Sequence, residues 1–572
     1  MRKGKLLLTL LLITIMILAS IQTTLAFDKS KIPIHIEVGL FFNSTAKSTL
    51  LLKSVHGFEV GRFPENQFIT LLNLADHNEI ILRKDTYYRG SGRTFVEYTG
   101  AIDNITNLQG PFHVQIGEVF NSQNDASIFI KSLNGLKDKP YLVYEGGWKV
   151  FIGLYIDQQQ AQTNASEIQN ITNQTTKVIS PSLTRVQVMD TTGQPLLMFD
   201  SQENIYFREA HVKQDVPLIN VEGRYYRGAI TAKRLTNTQL NNGNMSIVNK
   251  LPLQEYLYGV VPREMPALWS LEALKAQAVV ARSYAVSNIN RFRNLGFDLC
   301  NTTTSQVYGG HSNGQGALEH INSNRAVDET HSRILTYNGQ IANAYYHSNS
   351  GGHTENSENV WSAVTPYIRG VKDDFSLGAP NSQWTVVFTK DQIRNFLSNE
   401  NVHIGEIIDI KVTNVSQYGR VQELIIYGTQ GNYVLIKEHT RRVLGGYTQL
   451  KSTWFTVNGG GKSENTSGDL AVISSNGVIN SIDLSNKSIV SSTGITQIVN
   501  TSNIKIYNGK NYRSTEQNSQ VSSVTSSDVF EFVGKGFGHG LGMSQWGAKK
   551  MAEEGYSYLD ILTHYYKGTK VE

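Results

Sequence analysis

The stretch 251–286, LPLQEYLYGVVPREMPALWSLEALKAQAVVARSYAV, places one glutamate, Glu264, between two prolines and directly before a predicted helix. Pro262 and Pro266 restrict the backbone on either side of this glutamate. Three apolar side chains follow it in the same segment: Met265, Leu268 and Trp269. Apolar surroundings disfavour a charged carboxylate and raise its pKa. Since a carboxyl that stays protonated near neutral pH can donate a proton, we predict that Glu264 is a general acid.

Arg263 is the immediate neighbour of Glu264 and could oppose this effect, because a cation beside a carboxylate lowers its pKa. Neighbouring side chains of an extended segment point to opposite faces, which would separate the two charges. The alternative interpretation is structural, a glutamate that only ends a loop before the helix. Ser270 can cap that helix, which the apolar spacing predicts over about residues 271–288.

Four further motifs accompany this segment: 221–228 (VEGRYYRG), 297–310 (FDLCNTTTSQVYGG), 345–361 (YYHSNSGGHTENSENVW) and 534–548 (GKGFGHGLGMSQWGA). Together with 251–286 they resemble the stage II sporulation protein D (SpoIID/LytB) family, in the family's order, from about Leu183 to the C-terminus. The resemblance implies that the glutamate of the Pro-x-Glu-Met-Pro motif, here Glu264, is the catalytic acid. The glycine string 534–540 fits neither a phosphate-binding loop nor a dinucleotide fingerprint.

The candidate substrate-binding residues lie within these motifs. They are Lys275, Arg282, Gln306, Tyr308, His347, His353, His539, Ser544 and Gln545. Lys275 and Arg282 are seven residues apart on one stripe of the predicted helix, where they could hold acyl or lactyl groups of a sugar. Alternatively, their apolar stems line the edge of the core. Glu355 or Glu358 could supply a second carboxylate, which would make the site that of an ordinary glycosidase.

Cys300 is the only cysteine of the chain, so an intrachain disulfide is excluded. Some members of the family carry additional cysteine or histidine near this position and bind zinc. One thiol with the scattered histidines His311, His347 and His353 is a weak set of zinc ligands, since zinc favours four ligands or three and a water. We therefore predict no metal and no other cofactor.

Residues 110–161 alternate predicted strands with a helix and resemble a SPOR domain, a peptidoglycan-binding fold of two strand-helix halves. The residues that carry the resemblance are Val114-Gln115-Ile116-Gly117, Ala126, Trp148-Lys149-Val150, Ile152-Gly153 and Ala161. The resemblance implies that the sheet of this module binds glycan strands that lack stem peptides. Gln115 and Trp148 are candidates for sugar contact, or else they pack the fold.

The N-terminus combines the basic residues Arg2, Lys3 and Lys5 with an apolar run over about residues 6–21 and the small-residue pattern 24–26. This pattern predicts a secretory signal that is cut after Ala26. The apolar run is near the lower length limit of a membrane-spanning helix, so an uncleaved anchor is the alternative. In either case we expect an exported protein, in the cell wall or outside the cell, that meets a membrane only through this segment.

The chain has 572 residues and a hydrophobic fraction of 40%, which is enough for several packed domains. Its 52 basic and 48 acidic residues leave a net charge of +4, so nothing indicates an electrostatically driven nucleic-acid binder. Short alternating apolar runs predict a multidomain, β-rich α+β fold.

The expected segments follow from these patterns and resemblances. They are a signal peptide or anchor (1–26), a β-rich module (27–109), the SPOR-like module (110–161), a polar linker (162–178), the SpoIID/LytB domain (179–457), a β-hairpin-rich insertion dense in Ser, Asn and Thr (458–527) and the C-terminal part of the SpoIID/LytB domain (528–572). Because the last family motif follows the insertion, the two ends of the insertion should lie close together.

The leading hypothesis from the resemblance is a lytic transglycosylase that cleaves the MurNAc-β-1,4-GlcNAc bond of peptidoglycan and leaves a 1,6-anhydro end. The expected partners are peptidoglycan glycan strands, including strands without stem peptides, and a cell-wall amidase, because members of the LytB branch look like amidase enhancers. The rival hypotheses are a non-catalytic amidase enhancer and a glycan-binding scaffold.

Overall fold

The computed structural model describes residues 27–91, 93–102, 107–210, 216–459 and 528–572, together with strand segments between residues 469 and 514. The predicted secretory signal, 1–26, lies outside the described residues. The chain forms two compact units. The first unit contains the described residues up to Tyr346, then Pro366–Arg369 and Gln545–Glu572; the second unit contains His347–Thr365 and Gly370–Ser544.

Eight short strands make up the N-terminal region of the first unit, as the alternating apolar residues predict. They are β1 (His35–Phe41), β2 (Thr49–Lys53), β3 (Phe58–Arg62), β4 (Ile69–Leu74), β5 (Glu79–Lys84), β6 (Tyr88–Ser91), β7 (Thr94–Glu97) and β8 (Leu108–Gln109). In β1, Ile36 and Val38 are fully buried and alternate with partly exposed residues, which is the pattern of a strand with one face on a core.

The SPOR-like region follows with four strands and two helices. These elements are β9 (Phe112–Phe120), α1 (Gln123–Ser132), β10 (Tyr141–Tyr144), β11 (Trp148–Tyr155), α2 (Gln158–Thr172) and β12 (Thr176–Ile179). The predicted linker 162–178 is therefore wrong, because α2 and β12 occupy most of it. Ala161, Ala165 and Ile168 form a buried stripe at helical spacing that packs against β9 and β11. Small alanines among polar residues gave this helix little apolar signal in the sequence.

The remainder of the first unit up to Tyr346 alternates strands with three helices. The elements are β13 (Arg185–Met189), β14 (Pro195–Asp200), β15 (Tyr206–Glu209), β16 (Ile219–Val221), β17 (Arg224–Tyr226), β18 (Ala229–Lys233), β19 (Ser246–Pro252), α3 (Leu253–Glu264), α4 (Leu271–Ser287), β20 (Leu299–Cys300), β21 (Ser312–Asn313), β22 (Gly316–Ala317), α5 (Ile321–Glu329), β23 (Leu335–Tyr337) and β24 (Gln340–Ile341); β25 (Tyr346–His347) lies at the border with the second unit.

Two large sheets organise these strands. A seven-stranded sheet has the order β20-β1-β19-β18-β15-β3-β4, and a twelve-stranded sheet has the order β12-β9-β11-β10-β14-β13-β5-β2-β16-β17-β21-β22. The β10 strand of the SPOR-like region pairs in parallel with β14, with Leu142 opposite Leu197. The N-terminal region contributes strands to both sheets, so it is part of a larger β structure rather than a separate module.

Helix α4 is the central helix of the first unit. The sequence predicts it over 271–288, and the structure confirms it to within one residue at its C-terminal end. Almost every residue from Ala273 to Val286 is buried, which is typical of a helix that is surrounded by protein. Ser270 occupies the N-cap position, as predicted, but its side chain makes no capping hydrogen bond.

The second unit is built on two three-stranded antiparallel sheets. Its elements before the insertion are α6 (Ser357–Val360), β26 (Trp384–Thr389), α7 (Lys390–Asn399), β27 (Ile407–Val415), β28 (Val421–Gly428), β29 (Gly431–Ile436), α8 (Lys437–Val443), α9 (Gly446–Gln449) and β30 (Phe455–Gly459). One sheet is β27-β28-β29. A shared hydrophobic core contains Phe388, Leu424 and Phe532.

The predicted insertion contains six described strands that form three antiparallel pairs, which confirms its hairpin-rich character. They are β31 (Asp469–Ile473), β32 (Ile479–Asp483), β33 (Ser488–Ser491), β34 (Gly494–Gln497), β35 (Lys505–Tyr507) and β36 (Tyr512–Ser514). The strand that follows, β37 (Val529–Gly534), pairs with β30 and β26 in the other sheet of the second unit. Gly459 faces Phe530, so the two ends of the insertion lie close together as predicted.

The C-terminal residues return to the first unit. After β38 (Met543–Ser544), the helices α10 (Gln545–Glu553) and α11 (Tyr558–Tyr565) and the strand β39 (Lys570–Val571) complete the chain. The strand β39 pairs with β23. Strands outnumber helices in the described residues, which confirms the β-rich α+β fold class. Across the same residues, every helix is too short or too polar to span a membrane.

Candidate active site

Glu264 is the last residue of α3, where the helix must stop. Pro262 is accommodated inside the final turn, Met265 still donates its N–H to the carbonyl of Val261 at 2.9 Å, and Pro266 follows. The predicted extended segment is therefore wrong, because these residues belong to a helix. Consecutive side chains of a helix diverge by about 100° rather than pointing to opposite faces. Arg263 consequently projects to solvent while Glu264 is partly buried.

Three donors from distant parts of the first unit hold the Glu264 carboxyl. The backbone N–H of Val307 donates to Oε1 at 2.9 Å. The Tyr346 hydroxyl and the Gln545 side-chain amide also hydrogen-bond to the carboxyl. A buried amide and two neutral side chains thus surround a group that an isolated helix end would leave in water.

The pKa of Glu264 is raised above its ordinary value of 4.5, as the sequence predicts, and the main cause is loss of hydration on burial. The three hydrogen bonds favour the ionised form and limit the rise, and the Arg263 charge acts weakly in the same direction. Burial wins because none of the three hydrogen-bond donors is cationic. The carboxyl can therefore hold a proton at higher pH than an exposed glutamate, while its anion keeps fixed partners.

Gln306 positions one of those donors. It is 1% exposed, and its Nε2 donates to the Tyr346 hydroxyl oxygen at 3.2 Å and to the Ala281 carbonyl at 3.3 Å. Its Oε1 accepts from the Tyr256 hydroxyl at 3.1 Å. Burial raises the pKa values of Tyr256 and Tyr346 well above the usual range, so both hydroxyls stay protonated. Because the Tyr346 hydroxyl oxygen accepts from Gln306, its own proton can be donated to Glu264.

Gln545 is the second predicted residue that the structure brings to Glu264. It begins α10, and its Nε2 also lies 3.4 Å from Oε1 of Gln277, a fully buried residue of α4. Two of the predicted binding residues, Gln306 and Gln545, therefore belong to the network around the carboxyl. Neither is placed to act as an acid or base, and both orient other groups.

The structure places Arg282 and Tyr308 in the core, which favours a structural role over the predicted substrate contact. Arg282 is 1% exposed and donates to the carbonyls of Arg333 at 3.0 Å and Val327 at 3.2 Å. Tyr308 is 2% exposed, and its hydroxyl donates to Oδ1 of Asn249 at 2.9 Å. Sequence alone gives both residues polar groups, but not the buried acceptors that engage them.

Lys275 is also engaged by protein groups. Its ammonium lies 2.9 Å from Oε1 of Glu272 and 2.7 Å from Oε2 of Glu329, so it bridges α4 and α5. The edge-of-core alternative describes Lys275 better than a sugar-binding role does.

The other predicted binding residues lie in the second unit. His347 donates from Nδ1 to the Leu541 carbonyl at 3.0 Å, and its ring centroid is 5.6 Å from that of His539. Burial lowers the pKa of His347 well below its usual value, helped by His539 and Arg420, so its ring is neutral. Trp361 packs on the other histidine, with 5.2 Å between the ring centroids of Trp361 and His539.

His353 and Ser544 have structural partners within the second unit. The ring of His353 stacks on Tyr418 at a centroid distance of 4.0 Å. Ser544 is fully buried, and its Oγ accepts from the N–H of Ser350 at 3.3 Å. Both residues therefore stabilise loops of this unit.

Glu355 does not have the character of a second catalytic carboxylate. It is fully buried, and it accepts hydrogen bonds from its neighbour Asn356, from Asn359 and from the Ser416 hydroxyl. Because it is fully buried and already accepts three hydrogen bonds from protein donors, it is not presented to a water. Glu358, three residues later in the chain, is partly exposed and lines a polar cavity of about 550 Å³.

Cys300 is buried, and its Sγ lies 3.2 Å from the Thr302 hydroxyl and 3.3 Å from the Ser305 hydroxyl. His311 contacts Ser312 through Nδ1 at 3.0 Å. Within the part of the chain that the structure describes, no three His, Cys, Asp or Glu side chains cluster as metal ligands would.

In the SPOR-like region, Trp148 is 5% exposed and packs edge-on against Tyr144, with 5.0 Å between ring centroids. Of the two interpretations for this residue, packing is the one that its burial favours. Gln115 is partly exposed on the inner strand β9, and its Nε2 donates to the Gly117 carbonyl at 3.1 Å. It keeps an exposed face that a ligand could reach.

Sequence reasoning missed Tyr346 and the Val307 amide, although both lie inside motifs quoted above. A backbone donor leaves no side-chain signature, and nothing in the sequence joins residue 346 to residue 264. The position of Val307 directly after Gln306 was the only local signal.

Comparison with known families assigns three segments of the chain. Residues 241–337 match the SpoIID family, described as "Stage II sporulation protein", and residues 108–179 match the SPOR domain. Residues 378–472, in the second unit, match a domain of unknown function, DUF8618. The SPOR match includes α2 and β12, in agreement with the correction of the predicted linker.

Proteins of two organisms have sequences similar to more than half of this chain. The chain is 33% identical over 313 residues to an amidase enhancer of Bacillus subtilis (strain 168), a match that covers 55% of this chain and 40% of that protein. It is 28% identical over 340 residues to the stage II sporulation protein D of the same organism, covering 57% of this chain and 76% of the relative. An uncharacterised protein of Brachyspira hyodysenteriae is 29% identical over 331 residues, which are 58% of this chain and 69% of that protein. The chain thus spans less than half the length of the amidase enhancer.

Proposed function

Because this chain contains a SpoIID domain and, upstream of it, a peptidoglycan-binding SPOR domain, we propose that it is a cell-wall lytic transglycosylase with Glu264 as its acid and base. The observation that carries the proposal is the state of Glu264, a partly buried carboxyl with a raised pKa and three neutral hydrogen-bond donors. Such a group is suited to give up a proton and to take one back.

In the first step, protonated Glu264 donates its proton to the glycosidic oxygen between MurNAc and GlcNAc as that bond breaks. The carboxylate that forms is stabilised by the Val307 amide, the Tyr346 hydroxyl and the Gln545 amide. These donors are already oriented, so they need no reorganisation as the charge develops.

In the second step, the Glu264 carboxylate takes the proton of the C6 hydroxyl of the same MurNAc residue. The C6 oxygen attacks C1, which closes the 1,6-anhydro ring and restores the protonated carboxyl. Since the nucleophile is part of the substrate, proximity replaces the second carboxylate of an ordinary glycosidase. The full burial of Glu355 is consistent with a mechanism of this kind.

The test compares wild type, Glu264→Gln and Glu255→Gln on intact and amidase-treated peptidoglycan. Glu255 is a matched control, because it lies on the same helix and burial raises its pKa as well. We expect mass spectrometry to find new 1,6-anhydro ends with wild type and Glu255→Gln and none with Glu264→Gln. Equal cleavage by Glu264→Gln, or reducing ends in place of anhydro ends, would overturn the proposal.

The alternative function is enhancement of a cell-wall amidase, and the 33% identity to a protein named amidase enhancer favours it. Its test is the rate at which a purified amidase releases stem peptides, with and without this protein. Enhancement that is equal for wild type and Glu264→Gln, with no glycan cleavage by either, would support the amidase role.

A further inference from the structure

Two tryptophans stand beside the candidate active site without a role in it. The indole rings of Trp269 and Trp546 contact each other, with 4.8 Å between centroids and an angle of 56°. Trp269 follows the turn after Glu264, and its backbone N–H donates to the Pro266 carbonyl at 3.0 Å. Trp546 is the neighbour of Gln545, which bonds to the carboxyl. Both rings are thus carried by segments that hold Glu264.

Trp269 and Trp546 are more exposed to solvent than the tryptophans that pack in the hydrophobic cores. Trp148 and Trp384 are buried at 5% and 7% exposure, whereas Trp269 and Trp546 are both partly exposed. Leu268, next to Trp269, is 83% exposed. Large apolar side chains at the surface beside a catalytic group are more informative than those in a core, because burial alone does not explain them.

Lys549 fixes the arrangement of the two rings. Its ammonium lies 5.7 Å from the centroid of Trp269 and 5.5 Å from that of Trp546, one turn along α10 from the latter. Cation–π attraction to both rings holds the indoles together. The same ammonium also donates to Oε1 of Glu553, four residues further along α10, at 2.5 Å.

We propose that Trp269 and Trp546 form an aromatic subsite that stacks a pyranose ring of a glycan strand next to Glu264. A β-1,4-linked strand has its hydroxyl and acyl groups around the ring edge, which leaves flat C–H faces that pack on indole rings. Because the pair is partly exposed and held by a cation, it offers such a face without a rearrangement of the protein. The position of the bound pyranose ring relative to the cleaved bond rests on the proposed function, whereas the stacking of that sugar on the two indoles does not.

The experiment measures glycan binding in a Glu264→Gln background, where cleavage cannot interfere. The probes are a hexamer of N-acetylglucosamine and glycan strands released by amidase treatment, and the readouts are calorimetry and quenching of indole fluorescence. We expect Trp546→Leu to weaken binding about tenfold or more, the scale of losing one aromatic anchor. Trp546→Phe keeps an aromatic ring, so its glycan affinity should lie between those of the parent and of Trp546→Leu. Trp454→Leu, at a partly exposed tryptophan of the second unit, is the control and should bind as its parent does.

The outcomes separate this inference from the proposed function. If wild type releases anhydro fragments but Trp546→Leu binds glycan as tightly as its parent, the subsite is refuted and the transglycosylase stands. If no variant cleaves but the indole signal responds to glycan only when Trp546 is present, the subsite stands and the transglycosylase fails. Affinities that follow the urea stability of the variants, instead of the order Trp, Phe, Leu, would also refute the subsite.

Discussion

Tyr346→Phe is the sharpest perturbation of the Glu264 network, because it removes one donor and little volume. The hydroxyl donates to Glu264 and accepts from Nε2 of Gln306 at 3.2 Å. A hydrogen bond to a charged group contributes about 1.5–3 kcal/mol. At about 1.4 kcal/mol per factor of ten, full loss of this bond in the step that forms the carboxylate lowers its rate about tenfold to a hundredfold.

The direction of the pH effect follows from the same bond. Loss of a donor that favours the anion raises the pKa of Glu264 further, so Glu264 stays protonated to higher pH. The alkaline limb of the pH profile of anhydro-product formation should therefore move to higher pH in Tyr346→Phe, at a lower maximal rate. The assay is the initial rate of product formation on amidase-treated peptidoglycan over a series of buffers.

Tyr308→Phe is the matched control. It also removes one buried hydroxyl, but that hydroxyl donates to Asn249 at 2.9 Å and does not reach Glu264. We expect it to lower the free energy of unfolding by about 1 kcal/mol or more and to leave the pH profile in place. If Tyr346→Phe and Tyr308→Phe give the same profile as wild type, the donor network does not tune Glu264 and the reasoning fails.

Three further predictions concern stability. Since the pKa of Glu264 in the folded protein is raised above 4.5, the stability that its protonated form contributes is complete below pH 4.5 and is lost as the pH rises through the pKa of the folded state. Urea unfolding should therefore show that wild type loses stability relative to Glu264→Gln over this pH range. Parallel stability curves for the two proteins would contradict this prediction. Arg282→Met should cost several kcal/mol, at about 1–3 kcal/mol for each orphaned carbonyl, without a specific loss of glycan affinity in the folded fraction. Ile168→Ala should destabilise the first unit by about 2–5 kcal/mol, whereas Ser166→Ala on the exposed face of α2 should not, and equal melting of the two variants would restore the linker interpretation.

Local sequence patterns predicted the parts of the structure that local physics determines. Helix α4 was predicted because its apolar residues recur at the spacing of one buried helix face, and the insertion hairpins were predicted from short alternating runs. The segment around Glu264 was misjudged, because two prolines indicate an extended turn although one of them is tolerated in the last turn of a helix. Helix α2 was missed because its buried stripe consists largely of alanine.

Long-range partners set the limit of sequence reasoning at the candidate site. The raised pKa of Glu264 was predicted from apolar neighbours, but the donors that limit it are 43 residues away at Val307 and further at Tyr346 and Gln545. Arg282 and Tyr308 show the reverse case. Both have side chains that suit a ligand, and only the folded chain reveals that buried protein acceptors already use them.

The pairing of β10 with β14 has a consequence for how this protein would work along a polymer. A binding module on a flexible tether samples a range of distances and raises the local concentration of its enzyme over that range. Here the SPOR strands continue a sheet of the first unit, so no such range exists. The sugars bound by the SPOR region and the bond cleaved at Glu264 would then be a fixed number of sugars apart on one glycan strand. The lengths of the released fragments would reflect that number.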